Sequence, residues 1–131
     1  MDDTTEKVVG ILGDDPLTSR VLGLLLEGAA YYEARVLEEE DVLEHPRAAL
    51  AGVDLVLCTP LPGERRRDEL LGAVRGTPET AAVPVLRLST ELNAQPDELT
   101  DSVLPWPWST EALVRAIERV LRGSRGDASN R

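Results

Sequence analysis

Apolar positions along this chain alternate between short continuous runs of strand type and longer blocks with helical period. Val8 to Leu12, VVGIL, predicts a buried strand ended by Gly13, Asp14 and Asp15. Asp15 followed by Pro16 predicts an N-cap with proline at the first helical position, and Leu17, Val21, Leu24, Leu25 and Gly28 mark one face of the helix that follows. Tyr32 to Leu37 reads as a second strand, and residues 41 to 51, DVLEHPRAALA, as a weaker helix limited or kinked by Pro46. The most strand-like run is Val53 to Cys58, VDLVLC, ended by TPLPG at 59 to 63. Glu64 to Arg75 is helical with Gly76 as its stop. Val83 to Leu88 predicts a fourth strand with Pro84 near its start, where a missing N–H is tolerated. Ser102 to Pro105 is a short fifth strand, and Ser109 caps a last helix carrying Leu113, Ile117, Val120 and Leu121 on its apolar side.

Strands and helices in that alternation imply an α/β fold, a doubly wound five-stranded parallel sheet with helices on both faces. Continuous apolar strands agree, because central parallel strands are covered on both sides. Sites in such sheets lie at the carboxyl ends of the strands, which directs attention to residues 13–15, 58–62, 89–91 and 105–108.

Composition narrows the function classes. With 131 residues the chain is expected to form one domain. No stretch approaches the ~18 apolar residues of a membrane span, and the acidic start MDDTTEK lacks the features of a secretory leader, so a cytoplasmic location is expected. One cysteine excludes an intrachain disulfide framework. A net charge of −10 argues against a nucleic-acid surface on this domain. Arg65, Arg66 and Arg67 precede Asp68 and Glu69 and read as a solvated helix face, while Glu38, Glu39, Glu40 and Asp41 read as a solvated helix start. His45 is a surface residue distant from the strand ends, Cys58 behaves as a small buried hydrophobe, and the GILG run lacks dinucleotide-binding spacing. No activated nucleophile, acid–base pair or metal cluster emerges, so no enzymatic role and no cofactor are expected.

Three segments carry a resemblance across about residues 7 to 122. VDLVLCTPLPG resembles the third strand and following loop of response-regulator receiver domains, VPVLRLST their fourth strand ending in Ser or Thr, and LPWPWSTEALVRAIERVL their Lys-Pro-Phe segment and final helix. The resemblance implies the flavodoxin-like strand order 2-1-3-4-5. It divides the chain into a flexible N-terminus at 1–6, a receiver-like domain at 7–122, and a disordered tail or start of linker at 123–131. Thirteen arginines against one lysine suit a bacterial genome rich in GC.

Carried over residue by residue, the family's chemistry is mostly missing. The phosphate-accepting aspartate falls on Thr59, or on Cys58 if the gap is placed earlier, and neither is a carboxylate. The acidic pair that helps hold Mg²⁺ falls on Gly13 and Asp14, with Asp15 next along, whereas Mg²⁺ usually takes one or two carboxylates plus phosphate or water. Ser89 keeps the hydroxyl of the fourth strand, and Trp106 replaces the family's lysine. Removing one partner of a buried ion pair costs about 3–5 kcal/mol, while replacing both by neutral groups can be near neutral, and here both are gone.

The two tryptophans are the only large aromatics beside two tyrosines, since the chain has no phenylalanine. Trp106 either fills the space of the lost lysine, with ~2–3 kcal/mol of apolar burial, or stands exposed for recognition. Trp108 takes the phenylalanine position and packs under the last helix. The peptide bond that is cis in the family corresponds to Trp106–Pro107. Between Ser89 and Trp106 the chain is shorter than in the family and carries Pro96, so the helix between the fourth and fifth strands is short or absent and dimerisation through that face is in doubt.

The resulting expectation is a phosphorylation-independent pseudo-receiver in signal transduction, acting by contact with a signalling or regulatory protein, with Trp106, Pro107 and Trp108 as possible contacts. Two alternatives are a small-molecule sensor using the altered pocket at Gly13, Asp14, Asp15, Cys58, Thr59, Ser89 and Trp106, and the receiver portion of a longer DNA-binding regulator.

Overall fold

The computed structural model describes residues 7–13, 16–30, 32–59, 64–89, 100–105 and 109–126. Five strands, β1 (Val8–Leu12), β2 (Glu33–Leu37), β3 (Leu55–Cys58), β4 (Val85–Ser89) and β5 (Ser102–Pro105), form one sheet in the order β2-β1-β3-β4-β5. Every pairing is parallel. The helices are α1 (Pro16–Ala30), α2 (Glu39–Glu44), α3 (Pro46–Ala49), α4 (Glu64–Gly76) and α5 (Thr110–Gly126). The five-stranded, doubly wound parallel fold is the one the hydrophobic pattern implied.

Strand alternation divides the core in two. Val9 and Ile11 of β1, Leu55 and Leu57 of β3, and Leu86 and Leu88 of β4 join Leu22 and Leu26 of α1 and Leu113, Ile117 and Val120 of α5 on one face. Leu12, Val56, Cys58 and Val85 point the other way, against Val42 of α2 and Leu70, Leu71 and Val74 of α4. β3 is buried along its whole length, as a strand covered on both faces must be.

Several expectations are corrected. The residues that marked one face of α1 do not meet the core: Leu17 is 69% and Leu24 65% exposed, and Val21 and Leu25 are exposed as well. The face that packs is Ser19, Leu22, Gly23 and Leu26, because Gly23 lets the helix axis approach the sheet; a Cβ there would lie 3.3 Å from the Cβ of Ala34. The helix expected at 41–51 is two helices. Pro46 disfavours helical backbone at the preceding residue, and His45 between them has φ −137° and ψ 61°. The last helix runs through Gly126, past the boundary expected at 122, since an isolated glycine such as Gly123 weakens a helix without ending it. Residues 1–6, the 90–99 segment in which the short or absent helix was expected, and residues 127–131 lie outside the described residues.

The amino-terminal end of the sheet is tied by two aspartates that precede strands. Asp54, just before β3, donates its N–H to the Val8 carbonyl at 2.8 Å and accepts the Val8 N–H on Oδ2 at 2.8 Å. Asp101, just before β5, donates to the Val85 carbonyl at 2.9 Å and accepts the Val85 N–H on Oδ2 at 2.7 Å. Each carboxylate thus satisfies the first N–H of a neighbouring strand. Among the described residues, no helix is long and apolar enough to cross a membrane.

Candidate functional site

The carboxyl ends of β1, β3 and β4 bring Gly13, Thr59 and Ser89 to one end of the sheet. Cys58 pairs with Leu12 in register, and Thr59 follows immediately. The Thr59 N–H donates to the Leu12 carbonyl at 2.9 Å, and its Oγ1 reaches the same oxygen at 3.3 Å. Thr59 is 4% exposed. Of the two residues on which the phosphate-accepting position could fall, Cys58 turns its side chain into the core beside Leu12 and Val56, with Sγ 3.6 Å from the Thr59 carbonyl oxygen. Thr59 is the one at the β1–β3 tip.

Thr59 and Gly13 fit one another. A Cβ placed on Gly13 would collide with Thr59 Oγ1, and would lie 3.2 Å from Thr59 Cβ. Any side chain at position 13, an aspartate included, would need Thr59 to move. Ser89, at the end of β4, is buried, and its backbone stands in register with Pro105 of β5. Gly13, Thr59 and Ser89 therefore offer hydroxyl and backbone groups and no carboxylate, which is a poor donor set for Mg²⁺. Among the described residues, no group of three or more His, Cys, Asp or Glu is placed to hold a metal. Asp14, Asp15, Trp106, Pro107 and Trp108 lie outside the described residues.

Beside this tip the structure holds a contact that the charge runs concealed. Arg66 of α4 donates from Nε and Nη2 to Glu39 Oε1, both at 3.0 Å, and from Nη1 to Glu69 at 3.3 Å. The hydrogen bond to Glu39 holds the Arg66 guanidinium above its ordinary value, against a smaller effect of burial, and Glu69 adds to the rise. The two charge runs read separately as solvated faces are thus joined at their centres. Opposite charge in two runs was the available signal, but only the packing of α2 on α4 turns it into a pair. Gly13, Ser19, Val36, Leu37, Glu38, Glu39, Glu40 and Arg66 line a cavity of about 380 Å³ at this corner. His45 is exposed, as the sequence suggested.

No protein-family model matches the chain, and no curated protein sequence does. Solved structures do. The chemotaxis protein CheY4 of Vibrio cholerae superposes with a TM-score of 0.71 at 21% identity, covering 88% of this chain and 99% of that one. The signal receiver domain of a signal transduction histidine kinase from Syntrophus aciditrophicus superposes at 0.68 with 24% identity, over 89% and 91% of the two chains. The receiver domain of a sensor histidine kinase from Pseudomonas aeruginosa, which has a magnesium ion coordinated in its active-site cleft, reaches 0.66 at 16% identity, over 89% and 98%. With the strand order and the tip geometry, these likenesses establish that the chain has the fold of response-regulator receiver domains.

Proposed function

We propose that this chain is a phosphorylation-independent receiver-like domain that signals by contact with another protein. The observation that carries the reading is the neutral, interlocked pair Gly13 and Thr59 at the tip where a receiver holds its acceptor carboxylate. A threonine hydroxyl bonded to the Leu12 carbonyl is no substitute for a carboxylate nucleophile toward a phosphoryl donor, and the residue at the lysine position is Trp106.

Contact with a protein is supported by α1. Leu17, Val21, Leu24 and Leu25 recur at the helical spacing that aligns them, and all four are exposed. Val36 of the edge strand β2 is exposed too. Scattered exposed leucines are ordinary, but a continuous apolar stripe on one helix is the kind of surface that partners cover.

The test is a titration with beryllofluoride and Mg²⁺, or with acetyl phosphate, followed by heteronuclear NMR. The amides of Gly13, Cys58, Thr59 and Ser89 are expected to stay in place. Saturable shifts at those four amides would overturn the reading.

A further inference from the structure

Two residues that line the cavity at the Glu39–Arg66 corner carry a buried oxygen with no hydrogen-bond partner among the described residues. Ser19 Oγ, on a residue only 1% exposed, has no hydrogen-bond partner, and neither has Glu39 Oε2. Both residues line the same cavity. Buried polar groups are nearly always partnered, so orphans on two residues that line one space indicate what that space accepts. Glu39 Oε1 already takes both bonds from Arg66, which leaves Oε2 as a lone anionic acceptor. A serine hydroxyl can accept as well. The occupant must therefore donate.

Charge points the same way. The lining carries three carboxylates, Glu38, Glu39 and Glu40, against the single guanidinium of Arg66, and that guanidinium is engaged by Glu39 and Glu69. Val36 and Leu37 supply an apolar wall. A volume of about 380 Å³ lies in the range of small-ligand sites. We infer that this cavity binds an aliphatic ammonium group, its nitrogen donating to Glu39 Oε2 and Ser19 Oγ and its methylenes lying on Val36 and Leu37. The group belongs either to a free alkylamine or to a lysine side chain of a partner. The site shares only Gly13 with the altered phosphoacceptor tip, so it stands or falls apart from the reading given above.

The test uses the full chain, with butylamine, Nα-acetyl-lysine N-methylamide and the neutral isostere 1-butanol as probes at constant ionic strength, followed by heteronuclear NMR. Expected are saturable shifts at Gly13, Ser19, Leu37 to Glu40 and Arg66 for at least one ammonium probe, with 1-butanol weaker by about tenfold or more. A response to butylamine alone identifies a free amine as the ligand. A response to the blocked lysine identifies a side chain. Glu39→Gln should abolish the response. Because that change also weakens the bond to Arg66, Ser19→Ala serves as the second variant, expected to weaken ammonium binding while leaving the thermal midpoint unchanged or raised. The inference is overturned if neither ammonium probe moves these amides, if shifts spread without saturation over the acidic surface, or if 1-butanol matches the amines. Unaltered ammonium binding in both variants overturns it too.

Discussion

Gly13 and Thr59 divide between them a volume too small for two side chains. Gly13→Ala drives a Cβ into Thr59 Oγ1 and is expected to cost about 1–3 kcal/mol by overpacking. Thr59→Ala removes that atom, and the double variant should show a coupling of about 1 kcal/mol in chemical denaturation, where independent sites would simply add. Tyr32 gives a second prediction. It is buried against the α1–α5 core, and burial, with Glu118 adding, pushes its phenol above the ordinary value of 10.0, against a smaller opposing effect of Arg122. A raised folded-state value means that the stability this phenol contributes is complete below pH 10 and is lost as pH rises through the folded value. Alkaline denaturation midpoints should fall over that range, and Tyr32→Phe should remove this part of the fall. Both predictions depend on neighbours distant in sequence. In the sequence Thr59 and Gly13 stand out only individually, as departures from a pattern; their mutual fit follows from the parallel pairing that puts Leu12 beside Cys58.

At the scale of elements, strand starts are fastened as firmly as strand ends are packed. Asp101 satisfies the Val85 N–H and pairs with Arg75 Nη2 at 2.7 Å, while Arg75 Nη1 donates to the carbonyls of Ala81 at 2.7 Å and Val83 at 3.0 Å. One arginine at the end of α4 thereby fixes the approach to β4 and β5 together. Asp101→Ala leaves the Val85 N–H without its acceptor and is expected to lower unfolding free energy by about 1–2 kcal/mol, read from the urea midpoint at unchanged slope. Elements with strong local signals were legible. Ser109 accepts the Ala112 N–H at 3.0 Å as an N-cap should, and β1 and β5 have the predicted bounds. Less legible was α1, where Leu17, Val21, Leu24 and Leu25 compete with Leu22 and Leu26 for the core. Periodicity alone cannot rank two apolar faces. Gly23 decided, by permitting the closer approach on its own side.

For the whole molecule, the solvent-facing stripe of α1 separates function from stability. Leu24 is 65% exposed, so Leu24→Arg should change unfolding free energy by no more than about 0.5 kcal/mol. The same change places a charge in the middle of the proposed contact surface. A photo-crosslinking side chain introduced at Leu24 should capture a protein adduct that one introduced at the exposed Glu111 of α5 does not, and equal capture at both positions would remove α1 as the contact. The parallel sheet was legible in the alternation of element types, which constrains topology strongly, while its strand order followed from the resemblance to receiver domains. The corner cavity was not, since it is assembled from α1, β2, α2 and α4, four elements that sequence spacing cannot bring together.

The two core clusters have a consequence for how information could travel. The sheet acts as a partition with separate rooms on either side, and a partner pressing on α1 is felt directly by α5 through Leu22, Leu26, Tyr32 and Ile117. Through the core the same push reaches α2 and α4 by displacing the β-strands that form the partition, and around its edge by way of the corner cavity that Ser19, Glu39 and Arg66 line. A message that crosses from one room to the other through the core therefore arrives as a movement of the wall.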